Sequence, residues 1–269
     1  MINLKKKIFV FGLEALKEKG DAYYNEVFGI ENYFPKYATR VDKPARADLI
    51  LVVGGDGTML KAIRKLRRFN KPFCGLNFGH LGFLLNEPGH VTVTLNHICD
   101  DKVEITTVKL LEISQNYYDG KSQTFYAFND LVIERTRPQT AKIKIVIDGK
   151  TYFDPLTCDG VIVSSAAGST SYNGSAGGII VPIHTNGIVL TGICPAVFEK
   201  WHSSILPEDS LIQLEPVERE KRPVRFIADG HKLPNCQNLT VRLSERTVRL
   251  MFLTSLNFRQ KTMNLQFRR

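Results

Sequence analysis

The stretch Asp48-Leu49-Ile50-Leu51-Val52-Val53-Gly54-Gly55-Asp56-Gly57-Thr58-Met59-Leu60 decides the fold. Aliphatic residues run without alternation from Leu49 to Val53 and stop at paired glycines. A strand of that composition is covered on both faces, the habit of parallel sheets. Beyond the glycines, Met59, Leu60, Ile63 and Leu66 recur at helical spacing, and Lys61, Arg64, Lys65, Arg67 and Arg68 occupy the other side. Phe73-Cys74-Gly75-Leu76-Asn77 reads as the next strand. Strand, helix and strand at this spacing make a βαβ unit and hence a parallel sheet. Working back, Ile8 to Phe11 is an earlier strand and Leu13 to Lys19 begins a helix.

The turn itself places one carboxylate among glycines at the C-terminal edge of that sheet, where open α/β folds bind ligands. Glycine lets the backbone approach a ligand closely. The free N–H groups of the following helix favour phosphate. Two roles fit the local pattern. Asp56 or Thr58 caps the helix, or Asp56 faces a group that must lose a proton, or a metal. The P-loop is excluded, because no Gly-Lys-Ser/Thr triplet follows the glycines. The dinucleotide fingerprint is excluded for want of its third glycine, and protein-kinase signatures are absent.

From about residue 104 the pattern changes. Asp-Gly pairs at 119, 148 and 229 sit among strand-like runs, and the first two are strong hairpin signals. Further β runs follow at Val161 to Val163, Ile188 to Leu190, Val224 to Ile227 and Leu239 to Leu243, with little helical periodicity. The fold class is therefore an α/β N-terminal domain with a parallel sheet, then a mainly antiparallel β C-terminal domain. The division falls at 1–103 and 104–249. The two parts are expected to abut, and a cleft between domains is a usual ligand site.

Two further stretches attract notice. Residues 164–178, SSAAGSTSYNGSAGG, contain twelve Ser, Ala or Gly in fifteen. A flexible linker is one reading. The β runs on either side, with Ile179-Ile180-Val181 leading out, and the lone aromatic Tyr172 favour a surface on which a planar ligand lies. Asn129-Asp130 follows the strand Phe125 to Phe128, and Leu131-Val132-Ile133 resumes the β pattern at once. A polar pair inside a strand asks for a ligand or a bulge.

The 269 residues carry a formal net charge of +9, and 43% are hydrophobic. A large core is affordable. The basic balance suits acidic partners, but no dense Lys/Arg tract with interleaved aromatics supports nucleic acid. Cysteines at 74, 99, 158, 194 and 236 form neither a CxxC nor a paired framework, which points to a reducing compartment. No apolar run approaches a membrane span, and Ile8 to Leu13 is too short for a signal segment. A cytoplasmic protein with no membrane partner is expected. The histidines at 90, 97, 184 and 202 are not spaced as metal ligands.

Taken together, Gly54 to Thr58, Asn77-Phe78-Gly79-His80-Leu81-Gly82-Phe83, Asn129-Asp130, Asp159-Gly160, Gly168-Ser169-Thr170-Ser171-Tyr172 and Ser175-Ala176-Gly177-Gly178 resemble the NAD kinase family in order and spacing. The first motif alone is shared with lipid kinases and phosphofructokinases. A sugar or lipid kinase is the rival reading, and it lacks the Ser/Ala/Gly surface around Tyr172. The resemblance implies transfer of the terminal phosphate of ATP, or of polyphosphate, to the adenosine ribose 2′-hydroxyl of NAD, giving NADP. It implies a divalent metal, usually Mg2+, and a homodimer or homotetramer. It also implies that the segment of about 250–269 packs back on the N-terminal domain. Carried over by resemblance, Asp56 accepts the hydroxyl proton, and Gly57 and Lys61 fall on the nucleotide side. Phe83 lies beside the ligand, and Asn129 and Asp130 hold the dinucleotide. Asp159, Thr170, Ser171, Tyr172, Asn173 and Ser175 surround its aromatic moieties, and His231 joins the site. Departures from the family pattern are Thr157 for Arg, His231 for Gln, Ser171 for Ala, Ala166-Ala167 for Pro-Thr and His80 for Arg.

Overall fold

The computed structural model describes residues 5–12, 38–78, 82–86, 96–98, 100 and 102–253. The expected helix from Leu13, the Gly79-His80-Leu81 centre of the 77–83 motif, Cys99, His90 and the segment after residue 253 lie outside the described residues. The chain divides into two compact units, Met1–Thr107 with Val248–Arg269, and Val108–Thr247.

The first unit contains β1 (Lys6–Phe11), β2 (Ala38–Arg40), β3 (Leu49–Gly54), helix α1 (Asp56–Leu66) and β4 (Phe73–Asn77). β1 runs parallel to β2 and β3, and β3 runs parallel to β4. The aliphatic run is buried along its length, as its lack of alternation requires. α1 buries Met59, Ala62, Ile63 and Leu66 and turns its basic residues outward. Gly75 lets the helix lie close, since a Cβ there would meet Met59 Cε at 2.7 Å and Leu85 at 2.8 Å. Asn86, fully buried, donates its amide to the carbonyls of Gly75 and Met251 and accepts from the N–H of Leu253. One polar side chain thereby ties β4 to the end of the last strand.

The second unit begins within β5 (Glu104–Asn116) and continues through β6 (Ser122–Ala127), β7 (Asp130–Arg135), β8 (Ala141–Ile147), β9 (Lys150–Cys158) and β10 (Gly160–Ser164). A short helix α2 (Tyr172–Ser175) precedes β11 (Ile188–Ile193), β12 (Ser203–Leu206), β13 (Ile212–Pro216), β14 (Val224–Ala228), β15 (His231–Leu233) and β16 (Asn238–Phe252). One antiparallel sheet has the order β12-β11-β10-β7-β14-β15. A second antiparallel set joins β16, β13, β8 and β9, with β5 paired to β6. Leu111, Ile143 and Leu214 from one set share a buried core with Val161, Leu190 and Phe226 from the other. At its far end β16 enters the first unit, where Leu250 and Met251 run parallel to Phe73 and Cys74.

The hairpins expected at Asp119-Gly120 and Asp148-Gly149 join β5 to β6 and β8 to β9. Asp229-Gly230 makes a third, between β14 and β15, with both residues at positive φ. Two readings are corrected. Asn129-Asp130 is not a polar pair inside a strand. β6 ends at Ala127 and pairs with β5, whereas β7 starts at Asp130 and pairs with β10 and β14. The pair sits where the chain changes sheets, a position that local alternation cannot distinguish from a continuing strand. Ile179-Ile180-Val181 forms no strand. Its backbone is held instead by side chains, with Val181 N–H donating to Ser169 Oγ and Asn173 donating to the Ile179 carbonyl.

Candidate active site

In the first unit, β3 ends at Gly54 and α1 starts at Asp56, two residues earlier than the sequence pattern suggests. No side chain caps the helix; Gly55 is its N-cap, and its carbonyl accepts from the N–H groups of Thr58 and Met59. The capping role for Asp56 or Thr58 therefore falls away. The Asp56 carboxylate instead accepts from the N–H of Phe83 at 2.9 Å and of Leu84 at 3.0 Å. Two backbone donors orient the carboxylate and bring Phe83, half-buried, beside it. Gly54 is needed by the turn: its φ is +148°, and a Cβ would meet Thr58 Oγ1 at 2.6 Å. At Gly55 and Gly57, by contrast, a Cβ would find nothing within 4 Å among the described residues. The chain's own packing does not demand glycine there, so the open backbone is available to a ligand. Lys61 is exposed one turn along α1.

In the second unit the Phe128–Asp130 corner is enclosed on every backbone group that its neighbours can reach. Asp229 accepts from the N–H groups of Phe128 (2.7 Å), Asn129 (2.7 Å) and Asp130 (3.3 Å). Ser165 donates its hydroxyl to the Phe128 carbonyl at 2.6 Å and its N–H to the Asn129 carbonyl at 2.9 Å. Gly168 closes the corner, since a Cβ there would lie 2.2 Å from the Asn129 carbonyl oxygen. Asn129 and Asp130 are only 5% and 6% exposed, and Asn129 Oδ1 has no hydrogen-bond partner among the described residues. Burial first, and then the charge of Asp229, push the Asp130 carboxyl up to about 7.

The small-residue stretch is folded and is not a linker. A 3-10 turn at Ala167–Thr170 leads into α2, with Ser169 Oγ donating to the carbonyls of Ala166 and Val181. Asn173 is wholly buried. Its amide donates to the carbonyls of Ser169 and Ile179, and its carbonyl accepts from Thr191. It supports the turn rather than facing outward. Thr170 and Ser171 are half-buried, and Ser175 and His231 are exposed.

Tyr172 and Asp159 meet at a cavity of about 520 Å³ lined also by Glu134, Arg135, Arg137 and Arg225. Arg135 grips Asp159 through two bonds, Nε–Oδ1 at 2.6 Å and Nη2–Oδ2 at 3.1 Å. Burial, then the Glu134 charge, raises the Tyr172 phenol above its ordinary value, which keeps its hydroxyl neutral. Sequence reading missed both Arg135 and the tether made by Asp229. Arg135 stands 24 residues from Asp159 with no motif to link them, and the Asp229 carboxylate hides inside what reads as turn chemistry. Among the described residues no group of three or more His, Cys, Asp or Glu could hold a metal.

The α/β unit presents an oriented carboxylate from a glycine turn, and the β unit a buried Asn-Asp corner whose Asn129 Oδ1 is unpartnered among the described residues, a two-unit architecture with polar groups poised at both units. Residues 9–103 match the ATP-NAD kinase N-terminal domain, and residues 128–252 match the ATP-NAD kinase C-terminal domain. An NAD kinase of Rickettsia rickettsii is 34% identical over 226 residues, covering 84% of this chain and 88% of that protein. One of Brucella suis is 33% identical over 225 residues, covering 82% and 86%. Among solved structures, yeast NADH kinase complexed with NADH has a TM-score of 0.77 at 22% identity, over 98% of this chain and 88% of that one. An NAD kinase from Archaeoglobus fulgidus in complex with ATP has a TM-score of 0.75 at 24% identity, over 97% and 98%. These structures share the fold. The chain belongs to the NAD kinase family.

Proposed function

We propose that the protein transfers the terminal phosphoryl group of ATP to the adenosine ribose 2′-hydroxyl of NAD, giving NADP. Membership of the family supports the reaction. The observation that carries the acceptor assignment is the buried Asn129 Oδ1 without a partner, next to Asp130. A buried polar atom left unsatisfied is costly, and an amino or hydroxyl donor of the dinucleotide would satisfy it.

In this reading Asp56 is the base that takes the 2′-hydroxyl proton. Gly57 and Lys61 serve the nucleotide, and Phe83 packs beside the ligand. Asn129 and Asp130 hold the dinucleotide. Asp159, Thr170, Ser171, Tyr172, Ser175 and His231 line its aromatic ends, with Asn173 buttressing the turn. Phosphoryl transfer has a loose transition state, so the protein's work is mostly positioning and charge stabilisation. Residues 1–103 with about 250–269 form the domain bearing the base, and 104–249 the domain bearing the dinucleotide contacts.

A divalent metal, expected to be Mg2+, would arrive on the nucleotide, since Mg2+ is commonly held by substrate phosphates and few carboxylates. When bound it neutralises phosphate charge. A homodimer or homotetramer is supported by the exposed apolar Val197 (97%) and Phe198 (73%) and by Ile205 (48%) on edge strand β12. A cytoplasmic location is supported by the free thiols Cys74, Cys158, Cys194 and Cys236. Among the described residues no helix is long and apolar enough to cross a membrane.

The test is a coupled assay. Purified protein, NAD and Mg2+ are mixed with ATP, or separately with polyphosphate, and NADP is read with an NADP-specific dehydrogenase. NADP formation with ATP is expected. Its absence with both donors, while NAD still binds by calorimetry, overturns the assignment.

A further inference from the structure

Asp229 lies about 100 residues from the Asn129–Asp130 pair in sequence, yet its carboxylate collects three successive N–H groups of that corner. Its own N–H donates back to the Asp130 carbonyl at 3.1 Å. The carboxylate is aimed by the β14–β15 turn, where Asp229 and Gly230 adopt φ of +46° and +74°. Consecutive amides that converge on one point make a concave cluster of partial positive charge, and an anion satisfies it better than a neutral acceptor. On the opposite side, Ser164 and Ser165 bond the carbonyls of Phe128 and Asn129. The corner's backbone is thereby held from two strands at once. The polar atom left over is on a side chain, Asn129 Oδ1, nine-tenths buried and unpartnered among the described residues.

This arrangement has a cost that a purely structural tether would avoid. A second carboxylate is placed beside Asp130, itself 6% exposed. A serine or asparagine in a turn could accept N–H groups without adding a like charge. We infer that Asp229 is a positioning residue for substrate binding, fixing the Asn129–Asp130 corner and placing a second carboxylate beside Asp130. This rests on the reading that Asn129 and Asp130 hold NAD. The charged and titratable groups that act on or with Asp130 are Asp229 from the β14–β15 turn and the Tyr172 phenol from α2. Its register partner on β10, Ser164, brings no charge.

The test uses the full chain and steady-state NADP formation, with NAD and ATP varied separately across pH. Asp229→Asn keeps one acceptor oxygen and the side-chain shape but removes the charge. Its KM for NAD should rise about tenfold or more, the scale of a lost charged hydrogen bond. Its KM for ATP and its kcat should change little. In the wild type, kcat/KM for NAD should rise with pH through the titration of Asp130. That limb should move to lower pH in Asp229→Asn and disappear in Asp130→Asn. A folded Asp229→Asn with unchanged KM for NAD and an unmoved limb overturns the inference. Should Asp229→Asn fail to fold, Asp229→Glu keeps the charge but shifts it by a methylene. A raised KM with the limb retained supports the inference, and an unchanged KM overturns it. If Asn129→Ala is impaired while Asp229→Asn is not, positioning alone fails. If Asn129→Ala binds NAD normally, the underlying assignment fails, and the inference with it.

Discussion

The Asp56 turn and the Asn129–Asp130 corner present acidic side chains in opposite ways. The first has a local backbone. A buried strand stops, a glycine with φ of +148° turns the chain, and a helix starts at the acid itself. Its two backbone donors come from 27 and 28 residues onward. The second is assembled from three segments, around residues 129, 165–168 and 229. The turn leaves Gly57 with open space, whereas the corner is packed until a single methyl at Gly168 would collide with backbone. The difference suits the two tasks proposed for them. A base must reach a reacting atom, so it stands at an accessible edge. A recognition pair must discriminate, so its polar atoms are buried, where an unmatched partner is most costly.

The largest effect is expected at the turn. Asp56→Asn should lower kcat by about 10²–10⁴-fold while calorimetry still shows NAD bound. Equal loss of NAD binding would assign Asp56 a structural role and erase the distinction between the two regions. Next come two glycine substitutions that should behave differently. Gly168→Ala drives a Cβ to 2.2 Å from the Asn129 carbonyl oxygen, so the melting temperature and NAD affinity should fall together, by about 1–3 kcal/mol of stability or more. Gly57→Ala should melt like the wild type and lose activity only. A Gly57→Ala variant that melts early, or keeps full activity, removes the open turn from the ligand site.

A smaller effect follows from titration. Asp130 releases its proton at about 7 in the fold, against an ordinary value of 3.8. The folded state therefore holds the proton more tightly. The stability that this contributes is fully present below the ordinary carboxylate value and is lost as pH rises through about 7. Asp130→Asn stays neutral throughout, so it should melt several degrees above the wild type near pH 8, with the gap closing toward about pH 4. A constant gap at all pH values would mean that Asp130 is not titrating. The smallest change is expected at Arg135→Ala. Its pair with Asp159 is about a third exposed on both sides, so solvent screening leaves it little weight in stability. If this variant raises the KM for NAD while the melt is unchanged, Asp159 depends on Arg135 for its aim.

Much of the first region was legible before any coordinates. Unbroken aliphatics at 49–53 mark a doubly covered strand, and helical spacing after Gly57 marks the helix, because both patterns act over a few residues. The exact helix start was not legible, since the N-cap is Gly55, which has no polar side chain to mark it. In the second region the residues of the corner stood out by composition, but its geometry did not. Asn129-Asp130 looked like an interruption of one strand because alternation is the same whether a chain continues in its sheet or crosses to another. Asp229 looked like a turn residue, which it is, and nothing in its neighbours discloses the amides it reaches. Thr157 stands where the family often has Arg, and the guanidinium beside Asp159 comes from Arg135.

By itself, then, the sequence determined the parallel α/β start, the antiparallel remainder, the hairpins at 119 and 148, and the family through motifs in their order. Each depends on periodicity, turn preference or composition within a short window. Only the tertiary structure decided which donors hold Asp56, why Gly168 must be glycine, which base Asp159 pairs with, and that Asp229 ties down the Asn129–Asp130 corner. Those outcomes depend on hydrogen bonds and close contacts between segments tens to a hundred residues apart, and their partners are selected by how the sheets pack rather than by which residues adjoin them in the chain.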